Sequence, residues 1–164
     1  MPRPDNRLEP RPLKPEELAG APAIDILRGV ISGKFPPPPI SRTLNFWLAE
    51  IEPGRAVFEG EPLPDHFNPL GTVHGGWAAT LLDSALACAV QSMLKPGQTY
   101  TSVEMKVNFD RPIMPGIGVV RCEAKVIQVG SRIGVSEGRL TDPNGKLLAH
   151  GTETCLIMEL PAQR

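Results

Sequence analysis

One segment, at residues 74–94, constrains the fold more than any other: HGGWAATLLDSALACAVQSML. Its periodicity predicts a single helix that is apolar on nearly every side and rich in Ala, Gly and Ser. A helix of this kind is buried over most of its surface and packs closely against its neighbours. Lys95-Pro96-Gly97 is expected to end it. The rest of the chain must therefore supply the elements that surround this helix.

Six segments with strand signals are available for that purpose, two before the helix and four after it. They are residues 45–52, 55–61, 100–109, 119–129, 132–140 and 146–158. The first pair flanks the turn Pro53-Gly54, and the last pair flanks Asn144-Gly145, which is a strong hairpin signal. In 100–109 the odd-numbered residues are expected to face inward, and the even-numbered ones, with Ser102 among them, to face the other way.

This order of elements predicts an α+β fold in which one antiparallel sheet curls around one long central helix. We assign this domain to residues 42–160, so that residues 1–41 form an N-terminal extension. A single sheet of this kind leaves a face and an edge exposed, and self-association is therefore expected.

The extension is rich in proline: ten of the 19 prolines of the 164-residue chain lie in residues 1–40. Residues 1–15 predict an extended arm, and residues 16–33 predict a helix with apolar residues on one face. Four consecutive prolines at 36–39 predict a stiff spacer before the first strand. A docking motif for a partner domain is the alternative interpretation, although no second half of a PxxP-type signal is present.

Charge and composition argue against several classes of protein. Seventeen Lys and Arg against eighteen Asp and Glu give a formal charge of −1, so there is no basic footprint for nucleic acid. No apolar run reaches the roughly 18 residues of a membrane span, and the first residues lack the apolar stretch of a secretory signal. Three cysteines without CxxC spacing and three histidines without HExxH spacing argue against a metal site. We expect a cytoplasmic protein without a cofactor.

The candidate catalytic and binding residues are concentrated at 65–84, in the sequence DHFNPLGTVHGGWAATLLDS. Gly75 and Gly76 place backbone N–H groups at a helix N-terminus, where they lack intrahelical partners and lie at the positive end of the helix dipole. Such donors suit a carbonyl oxygen that gains negative charge, as in an oxyanion hole. A glycine pair that only eases the chain into a crowded helix is the alternative interpretation.

Asp83 lies in the middle of the otherwise apolar helix. A buried carboxylate is costly unless it is paired, and the positions three and four residues away hold no Lys or Arg. Two interpretations remain open: a buried, hydrogen-bonded carboxylate, or a general base or nucleophile.

Gly75 and Asp83 are eight residues apart, which is roughly 12 Å along a helix axis. They cannot reach the same carbonyl carbon from one helix. If they share a site, two copies of the helix must pass antiparallel, with Asp83 of one copy near Gly75 of the other. A shared site therefore predicts a two-fold homodimer with two equivalent sites.

The run HFNPLGTVHGG, followed by the helical carboxylate at Asp83, resembles the hotdog-fold acyl-CoA thioesterases of the PaaI (phenylacetic acid degradation) type. Asn68, the Gly71-x-x-His74-Gly75-Gly76 run and Asp83 together carry the resemblance, which covers about residues 42–160. It implies a hotdog fold and hydrolysis of an acyl-CoA thioester without a metal. For the assembly we expect at least a homodimer, with further pairing into a dimer of dimers, and the choice between dimer and tetramer stays open at this point.

The resemblance further implies a role for each matching residue. Asp83 would be the catalytic carboxylate, either activating water or attacking the thioester carbon itself. The Gly75 N–H of the neighbouring subunit would polarise the thioester carbonyl, and Asn68 would orient that carbonyl or the water. His74 would support the shape and hydrogen bonds of the site, and Ser102 would help to hold the water.

Substrate and coenzyme A would be bound at Gly76, beside the oxyanion donor, and at Gly130-Ser131-Arg132, which matches a turn that often contacts the coenzyme A arm. Because coenzyme A carries phosphates, cationic side chains near the mouth should help, with Arg132 as the first candidate and Lys125 and Arg111 behind it. A solvated surface charge is the alternative interpretation for each of these three.

Three further candidates are interpreted as structural. His66 is expected to be a loop histidine, and His150 a structural or pocket-lining residue of the last strand. Cys88 is expected to be a packing thiol, since no histidine is placed to activate it.

Two other functions stay open at this point. A hotdog hydratase or dehydratase would pair a histidine with a carboxylate, and His66-Phe67 faintly resembles a dehydratase opening. A non-catalytic acyl-CoA sensor would bind its ligand without turnover, although residues 1–41 are too short and too rich in proline for an added DNA-binding element.

Overall fold

The computed structural model describes residues 8–19 and 21–160, and within them four α-helices and six β-strands. In chain order these are α1 (Pro15–Ala19), α2 (Ala23–Ile31), α3 (Pro39–Thr43), β1 (Phe46–Glu52), β2 (Arg55–Gly60), α4 (Gly75–Gln91), β3 (Gln98–Phe109), β4 (Val120–Val129), β5 (Ile133–Thr141) and β6 (Leu147–Glu159). A short 3-10 turn at Pro64–His66 lies between β2 and α4.

All six strands join one antiparallel sheet in the order β1-β2-β4-β5-β6-β3. The chain crosses from β2 to the far edge of the sheet through α4, and α4 packs against every strand. The predicted α+β hotdog architecture is therefore confirmed, and each predicted strand agrees with an observed one to within two residues at both ends. The two edges of the sheet are β1 and β3.

The core lies between α4 and the sheet. Nine of the 17 residues of α4 are buried, and Leu81, Leu82 and Leu86 are completely inaccessible; burial of each such side chain contributes about 1.5–3 kcal/mol. The helix lies close to β5 because that strand carries glycines beneath it. A Cβ atom added at Gly134 would lie 2.4 Å from Cγ1 of Val90.

A β-bulge in β3 reverses which side chains of the first half of the strand face α4. The pairing of β3 with β6 shifts register between Ser102 and Glu104, so that Val103 is the extra residue and is 55% exposed. Beyond the bulge the odd-numbered residues face α4, as predicted. Before it Ser102 lies directly opposite the buried Cys155 and shares its inward face. The prediction that Ser102 faces away from the helix is therefore wrong.

The single helix predicted at 16–33 is also wrong, because α1 and α2 divide that stretch between them. Pro22 precedes α2 with an extended backbone (ψ 142°), and proline has no N–H group with which to continue a helix. The buried face of α2, which includes Ile26 and Leu27, packs against β1. Residues 1–7 of the predicted arm and Gly20 lie outside the described residues.

We expect Gly134→Ala to lower the free energy of unfolding by roughly 1–3 kcal/mol, because the added methyl group overlaps Val90 and forces α4 away from β5. Urea denaturation measures the change. Gly130→Ala is the matched control, since its Cβ would meet only the Ile133 carbonyl oxygen at 3.5 Å, and it should stay within about 0.5 kcal/mol of wild type. Equal stability of the two variants would contradict the close approach of helix and strand.

Candidate active site

The start of α4 leaves one backbone N–H group open to a ligand. His74 caps the helix: its Nδ1 accepts a hydrogen bond from the Gly76 N–H at 2.9 Å, and its carbonyl accepts one from the Trp77 N–H at 3.0 Å. The Gly75 N–H has no acceptor among the residues that the structure describes. The expectation that both glycines offer free donors is therefore corrected to Gly75 alone.

Asn68 is bonded within its own loop. Its Nδ2 donates to Oγ1 of Thr72 at 2.8 Å, and its Oδ1 accepts from the backbone N–H groups of Leu70 at 2.9 Å and Thr72 at 3.3 Å. This arrangement is typical of an Asx residue that caps a turn. Within one chain Asn68 shapes the loop that delivers His74 and Gly75 to the helix start.

His66 is held as a structural residue, as expected. Its Nδ1 accepts from the Leu63 N–H at 3.0 Å and its Nε2 bonds the Thr43 carbonyl at 3.0 Å. The ring stacks on Trp77 with centroids 6.1 Å apart. With both ring nitrogens engaged, His66 has no free nitrogen for proton transfer.

Asp83 is half-buried on α4, and burial raises the pKa of its carboxyl above the ordinary value. Its oxygens have no hydrogen-bond or ion-pair partner within residues 8–160 outside Gly20. The interpretation of Asp83 as a hydrogen-bonded structural carboxylate is therefore not supported. A carboxylate that is partly dehydrated and unpaired is suited to accept a proton.

Asp83 opens onto a cavity of about 510 Å³ that Ser102 also lines. The other walls are mostly apolar and come from the face of α2, from β1 and β2, and from the extension. Side chains that contribute include Leu8, Pro10, Pro12, Leu13, Ile26, Leu27, Val30, Pro36, Pro37, Pro38, Phe46, Trp47, Leu48, Phe58, Ala87 and Tyr100. The arm and the proline run therefore cover a cavity that contains the candidate catalytic carboxylate.

The arm is held over this cavity by a few polar contacts. The Arg11 N–H donates to the Pro37 carbonyl at 3.2 Å, and the Arg11 guanidinium forms an ion pair with Glu17 at 2.8 Å. Glu9 forms a second ion pair with Arg42 at 3.1 Å, and both of these side chains are largely exposed.

Glu153 is a residue that the sequence-based search missed. It lies on β6 with no accessible surface, and it accepts hydrogen bonds from Oγ of Ser102 and from Sγ of Cys155. Burial raises the pKa of Glu153 to about 7, and the charge of Asp83 adds to the rise, while the Ser102 hydrogen bond opposes it. The signal was present, because Glu153 breaks an otherwise apolar or small inward series at Gly151, Cys155 and Ile157.

Cys88 is an unreactive thiol. Burial raises its pKa to about 12, with the nearby carboxylates of Asp83 and Glu153 adding to the rise. Such a thiol stays protonated and is a poor nucleophile at neutral pH, which agrees with the packing role expected of it.

The predicted site residues fall into three groups within one chain. Asp83 and Ser102 share the cavity, whereas Gly75 and the loop around Asn68 lie at the start of α4, roughly 12 Å along its axis. The predicted coenzyme A turn, Gly130-Ser131-Arg132, lines a separate open pocket between β4 and β5. One chain alone does not bring the three groups together.

The remaining cationic and histidine candidates lie on other surfaces. Lys125 forms an ion pair with Glu123 at 3.5 Å, and it lines the same outer pocket as His150. Nδ1 of His150 bonds Oδ2 of Asp110 at 2.7 Å, which fits the structural or pocket-lining interpretation. Arg111 is exposed.

Among the helices that the structure describes, none combines the length and the apolar character needed to span a membrane.

One long helix wrapped by a six-stranded antiparallel sheet places the chain in the class of hotdog-fold proteins. Residues 70–149 match the model of the thioesterase superfamily. The chain is 32% identical to acyl-coenzyme A thioesterase 13 of Mus musculus over 130 residues, covering 78% of this chain and 91% of that protein. The 1,4-dihydroxy-2-naphthoyl-CoA hydrolase of Listeria monocytogenes is 26% identical over 66% of this chain and 87% of its own.

Two solved structures of phenylacetic acid degradation proteins are similar to this chain over most of its length. The structure of a single-residue mutant of the phenylacetic acid degradation protein PaaI of Thermus thermophilus is similar, with a TM-score of 0.65 and 28% identity, over 72% of this chain and 97% of its own. A phenylacetic acid degradation-related protein of Ralstonia eutropha reaches 0.72 and 26%, over 83% of this chain and 99% of its own. The chain belongs to the thioesterase superfamily as a PaaI-type hotdog thioesterase, and it is a thioester hydrolase.

Proposed function

We propose that this protein hydrolyses acyl-CoA thioesters at a site shared by two subunits, with Asp83 as the general base. The observation that carries the proposal is the Asp83 carboxylate in the middle of the core helix α4. It has no partner among the described residues and opens onto a mostly apolar cavity. Partial dehydration makes this carboxylate more basic than an exposed one. The names of the relatives that act on coenzyme A thioesters support the substrate class.

In the proposed reaction the Asp83 carboxylate takes a proton from a water molecule while the water oxygen bonds to the thioester carbonyl carbon. The carbonyl π electrons move onto oxygen, and the partner subunit's Gly75 donates its N–H to the resulting oxyanion. When the intermediate collapses, the C–S bond breaks and the thiolate takes the proton from Asp83. The products are the free acid and coenzyme A.

Direct attack by Asp83 on the thioester carbon is the alternative chemistry. We prefer the water route because Ser102 lines the same cavity, so that a water molecule there would have two hydrogen-bond partners. After rapid quenching during turnover, mass spectrometry of the Asp83 peptide separates the two routes, since only direct attack joins the acyl group covalently to Asp83.

A dimer with two shared sites follows from the separation between base and donor. Within the part of the chain that the structure describes, the edge strand β3 pairs on one side only, and it exposes Val103 and Phe109. The Phe109 ring lies against Gly75, since an added Cβ there would be 3.2 Å from the ring. Pairing of this edge with a second copy would bring Gly75 toward the partner's α4. Further pairing into a dimer of dimers remains part of the proposal.

The acyl group is proposed to occupy the cavity beneath the arm, and coenzyme A to extend toward Gly130-Ser131-Arg132. The mostly apolar lining favours a hydrophobic acyl group. Arg132 is exposed on its turn, where its guanidinium can pair with a phosphate. A hydratase or dehydratase is less well supported, because both nitrogens of His66 are bonded. A sensor leaves the unpaired Asp83 without a role.

Asp83→Asn is expected to lower kcat about 100- to 10,000-fold, because the amide cannot accept the proton from water. Purified wild-type and variant proteins are compared on short, medium, long and aryl-acetyl CoA esters, with thiol release measured by a colour reagent. Cys88→Ala, five residues further along α4 on the same cavity, is the matched control and should keep its activity because it removes no acidic group. Near wild-type turnover by Asp83→Asn would exclude the mechanism, and tight binding without turnover by the wild type would favour a sensor.

Gly75→Pro is expected to lower kcat roughly 100- to 1,000-fold, because it deletes the proposed oxyanion donor. Proline is well tolerated at the first position of a helix, and His74 already has the extended ψ of 134° that a following proline requires. Gly75→Ala keeps the N–H group and is the matched control. Equal loss in both variants would indicate a packing effect instead.

A mixture of the Asp83→Asn and Gly75→Pro chains tests whether the site is shared. Each heterodimer would contain one intact site, so equal mixing with subunit exchange should restore about a quarter of wild-type activity. No recovery after verified exchange would contradict a site built from Asp83 of one subunit and Gly75 of the other.

Leu13→Trp is expected to reduce the cavity under the arm and so to change acyl selectivity. The value of kcat/KM should fall for long acyl groups and stay unchanged for acetyl-CoA, because only the longer group needs the filled space. Leu18→Trp, on α1 outside this cavity, is the matched control. A uniform change for all chain lengths would contradict binding of the acyl group beneath the arm.

A further inference from the structure

Glu153 is buried in a place where a carboxyl group has no structural partner of opposite charge. It lies on the inward face of β6 with no accessible surface. Its Oε1 accepts hydrogen bonds from the Ser102 hydroxyl and from Sγ of Cys155, the latter at 3.5 Å. Its Oε2 is buried and has no partner among the described residues. A purely structural position of this kind is better filled by an apolar side chain.

The titratable groups around Glu153 are all acidic or neutral. Asp83 and Cys88 act on it from α4, Tyr100 from β3 and Cys155 from its own strand, while Glu104, on the outward face of β3, raises its pKa through its charge alone. From β5 its neighbour in the sheet is Ser136, which does not titrate. With burial and the charge of Asp83 both disfavouring ionisation, the pKa of Glu153 rises to about 7. The carboxyl group therefore changes charge in the neutral range.

We propose that Glu153 is a positioning residue that fixes the direction of the Ser102 hydroxyl and, through it, the attacking water. This inference rests on the proposed hydrolysis at Asp83. An ionised Glu153 accepts the hydroxyl hydrogen of Ser102, which leaves the lone pairs of the serine oxygen facing the cavity. The water can then donate one hydrogen to Ser102 and the other to Asp83.

This arrangement directs a lone pair of the water toward the thioester carbon. A protonated Glu153 reverses it: the carboxylic acid donates to Ser102, and the serine hydrogen turns toward the water oxygen and occupies the lone pair needed for attack. No bond to Glu153 forms or breaks in turnover. Its contribution is the orientation of a neutral hydroxyl, and that contribution is lost as the pH falls through about 7.

The first test is a double-mutant cycle on kcat at pH about 8, above the pKa of Glu153. Glu153→Leu removes the acceptor without leaving a buried polar group, and we expect it to lower kcat about tenfold with KM unchanged. In the Ser102→Ala background the same change should have no further effect, because the group that Glu153 orients is gone. A similar loss in both backgrounds would indicate a general structural role and would overturn the proposal.

The second test is the pH profile of kcat. Glu153→Gln keeps an acceptor oxygen and the side-chain shape but does not titrate, so it should recover activity relative to Glu153→Leu and lose the rise near pH 7. Glu59→Gln is the matched control and should keep the wild-type pH profile of kcat. Glu59 is also buried with an unpartnered Oε2, but it lies beside Arg121 in another part of the sheet. A Glu153→Gln profile that keeps the wild-type rise would overturn the proposal even if Glu153→Leu fails to fold.

The two levels of proposal fail differently. A wild-type enzyme that depends on Asp83 but tolerates Glu153→Leu would refute only the role of Glu153. The proposed function itself would be refuted if the wild-type protein hydrolysed no thioester, or if its hydrolysis did not depend on Asp83.

Discussion

The packing of α4 inside the sheet is the interaction on which the rest of the structure depends. Leucines of the helix are completely buried against the strands, and glycines of β5 let the helix approach without a gap. Polar groups are costly in such an interior unless something compensates them. Asp83, Ser102 and Glu153 nevertheless meet on one side of this core, and they form a polar group within an apolar environment. This contrast raises the pKa values of the two carboxyls and makes that side of the helix chemically distinctive.

The same helix separates the two halves of the proposed chemistry. Its N-terminus presents the open Gly75 N–H, and its middle presents Asp83. Because α4 is one continuous helix that holds these two groups roughly 12 Å apart along its axis, they cannot both contact one substrate atom. The catalytic unit we propose therefore comprises two helices from two chains, and the exposed edge at β3 is where the second chain would attach.

Much of this could be predicted from the sequence. The long apolar helix, the six strands and the unusual position of Asp83 all follow from local periodicity, because burial on one or both faces leaves a regular pattern. Pro22 also indicates the break between α1 and α2, whereas the apolar spacing of residues 16–33 favours one continuous helix. The face of Ser102 was not readable, since a bulge depends on the pairing of two strands far apart in sequence. The bond from Gly76 to His74 likewise depends on a side-chain orientation that spacing does not encode.

The arm over the cavity differs from the sheet in how firmly it is held. Exposed ion pairs such as Glu9–Arg42 contribute about 0–1 kcal/mol and weaken as ionic strength rises. The sheet, by contrast, is held by the backbone hydrogen bonds that join its six strands and by the core packed against it. Lifting the arm would therefore cost much less free energy than separating strands, so the cavity beneath it can be uncovered while the sheet stays intact.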